Sequence, residues 1–322
     1  MPKVLLRTFL FCLMGYAALL TADLCLSRHY AVLPVRQIAL WQNIFTHSMA
    51  ADYDCLFVGD SRVMQGYNPM IVDSLLGTHS YNLGLSGRSW PTHELLQKVY
   101  RREAYPSPRL MLVELDYLLF YHREQPDEIA QFYPFYYTDL DMHRFLLRKN
   151  TLSPRARLVP LCRYIGRDRS IMDETMQWWA KWQNEYDKQQ GFTPVHLHIG
   201  TPYTDSSETK LLHHDRIEVE HFEIFLRRCR KEGTTVVLIT SPTHESYWQC
   251  HVKDSAATYT IFDSLSHRHG LTWLDYTHSP LCHDTANFYN ATHLNALGAD
   301  RFSRLLAHDL DSLGLGRRRR VQ

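Results

Sequence analysis

From Asp52 onward, short and almost continuously apolar runs alternate with longer stretches of helical periodicity, and this alternation admits few folds. Cys55-Leu56-Phe57-Val58 is an apolar run that stops at Gly59, the pattern of a buried strand followed by a turn. Asn68-Pro69 opens a helix with Asn as the N-cap and Pro at the first helical position, and Gly77 closes it after Leu76. A second strand is expected over residues 79–83. The next helix, over 91–104, gathers Leu95, Leu96, Val99 and Tyr100 on one face. Residues 109–115 read RLMLVEL, as expected of a parallel strand covered on both faces. After an interruption the pattern resumes, with helices over 217–232, 256–269 and 296–313 and strands over 235–240 and 271–276. Strands separated by helices imply an α/β fold with a doubly wound parallel sheet of about five strands, because each parallel connection needs a crossover. Ligands in such sheets bind outside the carboxyl ends of the strands, so chemistry is sought there.

Flanking features divide the rest of the chain. Lys3 and Arg7 precede an apolar stretch that continues through Asp23 to Leu26, a basic flank before an apolar core. At about 19 residues it approaches the roughly 20 that a spanning helix requires. We therefore expect a signal anchor or transmembrane segment over residues 1–28 and a juxtamembrane linker over 29–51. The α/β domain is expected over 52–322, exported to the periplasm or the extracellular side. Within it, residues 118–210 break the alternation and are rich in aromatics and interrupted by Pro, as in Phe132-Tyr133-Pro134-Phe135-Tyr136-Tyr137 and at Trp178, Trp179 and Trp182. Such a length is too great for an unstructured loop, so an inserted helical subdomain is expected. Its rings suit either the core of that subdomain or a wall that stacks sugars.

Composition narrows the function. Lys and Arg number 35 against 34 acidic residues, a net charge of +1, which is a poor match to a nucleic-acid partner. No pair of the seven Cys is spaced as C-x-x-C, so a thiolate metal site has no support; one disulfide among Cys162, Cys229, Cys250 and Cys282 stays open. His196 with His198, and His213 with His214, read as surface histidines rather than metal ligands. No cofactor and no metal are expected.

Polar residues collect at the strand ends. The first strand runs into Gly59-Asp60-Ser61-Arg62, which places a Ser just past a buried strand as a nucleophile is placed. The second runs into Asn82-Leu83-Gly84-Leu85-Ser86-Gly87, whose small residues let backbone N–H groups approach a ligand. Asn290-Ala291-Thr292-His293 lies just before the last helix and brings a His to the same edge. Asp60 suits the shaping of the turn, and Arg62 and Arg88 suit a solvated rim.

Together these segments resemble the SGNH (GDSL-type) hydrolase family over most of residues 52–120 and 215–313. The resemblance implies a flavodoxin-like α/β fold with Ser61 as nucleophile and His293 as general base. It also implies an oxyanion hole formed by the backbone N–H groups of Ser61 and Gly87. Two blocks depart from the family pattern. The third strand is followed by Asp116 where the family has an Asn donor, and Asn290 stands where an Asp orients the His. A lost oxyanion donor lowers rate on the order of 10²–10³. Asp to Asn in a serine-protease triad lowers it by roughly 10⁴. Asp284 is the nearby carboxylate that would substitute if its loop folded back. Asn82, Asp60, Asp116 and Asp284 are thus candidate site-shaping residues.

The expected function is a membrane-tethered esterase or O-acyltransferase acting on acyl, chiefly acetyl, esters of glycans in the cell envelope. The alternative is an SGNH-fold accessory or glycan-binding protein of envelope polysaccharide assembly that has lost catalysis. The expected partners are an acylated glycan or other ester, and the membrane through the N-terminal helix.

Overall fold

Four apolar residues stopped by Gly59 fit a strand covered on both faces, and Cys55–Val58 is a fully buried strand, β1. It appears in a computed structural model that describes residues 2–31, 36–45, 49, 52–87, 89–116, 119–120, 129–150, 152–165, 189–198, 210–211, 214–247, 252–253 and 255–316. Arg88, Trp178, Trp179, Trp182, His213, Cys250 and the Arg run at 317–320 lie outside the described residues.

The chain forms two compact units. One comprises Met49–Arg123 and Asn184–Gln322 and holds the sheet. After β1 come helix α3 (Ser61–Gly66) and helix α4 (Pro69–Leu76), then strand β2 (Ser80–Asn82), helix α5 (Trp90–Arg102) and strand β3 (Leu110–Glu114). Further along are helix α8 (Arg216–Lys231), strand β4 (Thr235–Thr240), helix α9 (Ser255–His269), strand β5 (Thr272–Asp275) and helix α10 (Ala296–Ser312). Among the described residues the main sheet has five strands in the order β2-β1-β3-β4-β5, all parallel. This is the flavodoxin-like order, and its switch point lies between β1 and β3, where a crevice opens at the carboxyl ends. The expected α/β class and doubly wound topology match this arrangement.

Local signals explain the boundaries. Asn68 caps α4 by accepting from the Met70 N–H at 3.1 Å, and Gly77 ends it in the left-handed region at φ 67°. The core beneath α4 and α10 is built from Phe57, Val72, Leu112, Ile239, Phe302 and Leu306. α3 and a short antiparallel hairpin of β6 (Phe288–Asn290) and β7 (His293–Leu294) are absent from the sequence expectation, because both are too short to leave a period.

The second unit comprises Met1–Ser48 and Glu124–Gln183. Helix α1 (Pro2–Ala31) carries exposed Val4, Leu5, Phe9, Phe11 and Met14. Its stretch Lys3–His29 is long and apolar enough to cross a membrane. Residues expected to be a linker contain helix α2 (Arg36–Phe45), whose Trp41 is buried and meets Phe132 edge-on at 5.5 Å. Helices α6 (Leu140–Lys149) and α7 (Pro154–Leu158) and 3₁₀ turns over Ala130–Phe135 and Cys162–Tyr164 also belong to this unit. Phe132, Tyr133, Phe135 and Tyr136 are buried, so these rings form a core and not a sugar-stacking wall. Cys162 in this unit, and Cys229 and Cys282 in the other, are free thiols.

Asp23 looks misplaced in an apolar helix until its partner is seen. Its carboxylate is fully buried, ion-paired to the fully buried Arg163 guanidinium, and accepts from the Leu161 N–H at 2.5 Å and from Ser27 Oγ at 3.0 Å. The guanidinium lies over the rings of Tyr136, Tyr137 and Tyr164. Losing one member of a buried pair strands the other charge, so Asp23→Ala is expected to destabilise this unit by about 3–5 kcal/mol. Asp23→Leu with Arg163→Leu is expected to lose less, as read by chemical unfolding of the full chain in detergent.

Candidate active site

The crevice is assembled from the ends of β1, β2 and β3 and from the β6–β7 hairpin. At the end of β1 the chain turns through Gly59 and Asp60 into α3, whose first residue is Ser61. Asp60 is the N-cap, and its Oδ1 accepts from the Arg62 N–H at 2.8 Å. The segment after β2 is bound to this turn by Leu83 N–H to Phe57 O at 2.8 Å and Leu85 N–H to Gly59 O at 2.9 Å. Asn82 locks the same region. Its amide donates to the carbonyls of Val63 (2.7 Å) and Tyr67 (2.9 Å), and its Oδ1 accepts from the Gly84 N–H at 2.9 Å. A side chain at Gly84 would meet the Met64 backbone, its Cβ lying 2.7 Å from Met64 Cα. Gly87 follows in a turn at φ 65°, a left-handed conformation that favours glycine.

The β6–β7 hairpin supplies the His. Asn290 pairs with His293 across a two-residue turn, and the Asn290 Oδ1 accepts from the Thr292 N–H at 3.0 Å. A backbone N–H can only donate, so the atom facing it is the amide oxygen. That same oxygen lies 3.0 Å from His293 Nδ1, and the Thr292 hydroxyl lies 2.7 Å from Nδ1 while donating to Oδ1 at 3.1 Å. Nδ1 therefore carries the ring proton, which leaves Nε2 bare. Nε2 sits 2.7 Å from Ser61 Oγ, placed to accept a hydrogen bond from its hydroxyl. Tyr289 stacks at a tilt on the imidazole, 5.4 Å between ring centroids, and its hydroxyl donates to Gln65 Oε1 at 2.8 Å.

Charge around this pair is dense and largely buried. Arg62, 8% exposed, is ion-paired with Asp116 and donates from Nε to Thr292 O at 3.2 Å. Burial lowers the His293 pKa first, the Arg62 guanidinium lowers it further, and Asp60 opposes them, for a result of about 4. Burial raises Asp60, but the Arg62 guanidinium, the Arg62 N–H and further polar neighbours outweigh it, so this carboxyl stays below its ordinary range. Burial and the Asp60 charge push Glu114 well above the carboxylate range.

Ser61, His293 and Asn290 thus come together, with Asp60 and Asn82 holding the flanking turns. Asp116 faces the Arg62 guanidinium, so its charge is not bare toward Ser61. Arg62 is a buried ion-pair partner and not the solvated rim residue expected, because the end of β3 presents Asp116 to it. Asp284 does not reach the imidazole: its oxygens accept from the Ala286 N–H at 3.0 Å and from Arg301 Nη1 at 3.1 Å. Sequence reasoning passed over Thr292 and Glu114. The signal for Glu114 was an acidic residue inside an otherwise apolar strand, whereas Thr292 acts only through the hairpin.

No protein-family model matches the chain, and no curated protein sequence matches it. Solved structures do. The chain is similar to a protein assigned as an acylhydrolase from Bacteroides fragilis, at 12% identity and a TM-score of 0.39 over 80% of this chain and 86% of that one. It is also similar to an acetyl xylan esterase, at 12% identity and a TM-score of 0.38 over 80% of this chain and 98% of that one.

The electrostatics of His293 are open to direct titration. Its imidazole is expected to protonate near pH 4 by NMR, and Arg62→Gln is expected to move that value upward. Because the folded pKa lies below the unfolded one, the protein is expected to lose stability as pH falls from about 6.5 toward 4.

Proposed function

We propose that this chain is an SGNH-like serine esterase or O-acyltransferase, and the observation that carries this reading is the 2.7 Å contact between Ser61 Oγ and a bare His293 Nε2. In the first half-reaction His293 Nε2 takes the Ser61 hydroxyl proton as Oγ attacks the ester carbonyl. The backbone N–H groups of Ser61 and Gly87 hold the developing oxyanion. The alcohol leaves with the proton from His293, and an acyl ester remains on Ser61. Water then completes hydrolysis, or an acceptor hydroxyl completes transfer, with His293 again moving the proton.

The wider assignment belongs to the same proposal. Residues 1–28 are the anchor and α1 the membrane-crossing element. Residues 52–322 form the exported catalytic region, periplasmic or extracellular, and acetyl or other acyl esters of envelope glycans are the substrate class. A long apolar helix ahead of an ester-cleaving site supports action beside a membrane on substrates that are themselves attached to the envelope.

Asn290 and the Arg62 guanidinium favour a second reading, a glycan-binding accessory protein, because neither stabilises an imidazolium. The two readings separate by fluorophosphonate labelling and p-nitrophenyl acetate turnover of the full chain in detergent. Labelling of Ser61 is expected in the parent. Ser61→Ala and His293→Ala are each expected to lower turnover by at least about 10²-fold. A folded parent inert to the probe would leave the accessory reading. Asn290→Asp places a carboxylate on Nδ1 and is expected to raise kcat/KM by about tenfold or more, part of the roughly 10⁴ such a carboxylate contributes in serine proteases.

A further inference from the structure

Behind Ser61 lies a carboxyl group that the proposed mechanism does not use. Glu114 is the last residue of β3 and is 1% exposed. Ser241 Oγ, just past β4, donates to its Oε1 at 2.5 Å, and the Tyr67 hydroxyl sits 2.9 Å from the same Ser241 oxygen. Its other oxygen, Oε2, is packed so close to Gly59 that a Cβ there would fall 2.9 Å away. Among the described residues no donor reaches Oε2, and it is fully buried. The Asp60 side chain, in the turn that follows Gly59, lies within hydrogen-bond reach of the Glu114 carboxyl.

Two carboxyl groups in such contact require a proton between them. The environment decides its owner. Asp60 accepts the Arg62 N–H and faces the Arg62 guanidinium, and both favour its charge. Glu114 is offered a single neutral hydroxyl at the buried end of an apolar strand. We propose that Glu114 is a neutral carboxylic acid whose Oε2–H donates to Asp60, and that it acts as a positioning residue for Ser61. The hydrogen bond holds the Asp60 carboxylate in its capping contact with α3, and so fixes the turn that aims the Ser61 hydroxyl at His293. Neutrality matters equally. An ionised Glu114 would join Asp60 and Asp116 against the single Arg62 guanidinium and add negative charge beside a forming oxyanion. Among the described residues, the charged or titratable groups facing this cluster are Asp60 from the β1 turn and Arg62 and Tyr67 from α3 and its cap, while Asp116 from the β3 end faces Arg62. His293 of the hairpin faces Asp60, and Tyr276 after β5 faces Tyr67.

The positioning role rests on the esterase reading, whereas the protonation does not, and the test separates them. Infrared spectra of the full chain at neutral pH are expected to show a protonated-carboxyl C=O band. The band should appear equally in the Ser61→Ala protein, which needs no turnover, and vanish in Glu114→Gln. Its absence from the parent overturns the proposal whatever the enzyme does. In turnover assays Glu114→Leu is expected to lose on the order of 10²-fold in kcat/KM through misplacement of Ser61. Glu114→Gln, whose amide donates to Asp60 and does not titrate, is expected to keep most of the neutral-pH activity. It is also expected to lose the alkaline decline that follows deprotonation of Glu114 in the parent. A Gln variant that behaves like Leu, or that keeps the parent's alkaline decline, overturns the positioning role. This comparison stands even where the Leu variant fails to fold.

Discussion

The close approach of the β1 end to the β3 end is the constraint on which the site depends. Parallel pairing sets Val58 beside Val113, so the residues that follow, Gly59 and Glu114, meet in a space with no room for a Cβ: one at Gly59 would lie 2.7 Å from Glu114 Cβ. Glycine is therefore required there by its neighbour and not by its own backbone angle. Once the two strand ends are that close, Asp60 must face Glu114 and Arg62 must face Asp116, and Ser61 is left at the start of α3 with its hydroxyl directed to the hairpin.

The hairpin solves a separate problem, that of holding a histidine without a carboxylate. A neutral amide orients the imidazole because the Thr292 N–H orients the amide, and the Thr292 hydroxyl closes the triangle. Geometry is thus fully specified, while charge stabilisation of an imidazolium is not. Burial and Arg62 press in the same direction and hold His293 neutral down to about pH 4. A base of that kind is correctly placed and intrinsically weak, since the driving force for proton abstraction falls with the base's pKa.

The unit formed by Met1–Ser48 and Glu124–Gln183 shows the same economy of charge in an apolar setting. Asp23 interrupts a helix whose first half exposes Val4, Phe9 and Phe11, and it is satisfied by Arg163, Ser27 and the Leu161 N–H. A buried ion pair of this kind adds little net stability over an apolar pair but punishes the loss of either partner. It therefore specifies which segment the last turns of α1 pack against.

Much of the fold was legible in the chain. Strand β1 and the cap and stop of α4 agree with the sequence expectation residue for residue, because buried parallel strands and capped helices are written locally, in runs of four to eight residues. Ser61 was legible as a residue just past a buried strand, and Asn290 and His293 as residues just ahead of the last helix, whereas Gly87 was singled out through the family resemblance. What the sequence could not contain is pairing across long separations. Ser61 and His293 are 232 residues apart, and Ser241 and Glu114 are 127 apart. The fate of Asp284, drawn to Arg301 and away from His293, the burial of Arg62 against Asp116, and the partner of Asp23 were all decided by tertiary structure. The physical reason is that a residue's type sets which bonds it can make, while the desolvation of its surroundings, known only once the sheet and hairpin close, sets which bonds it must make.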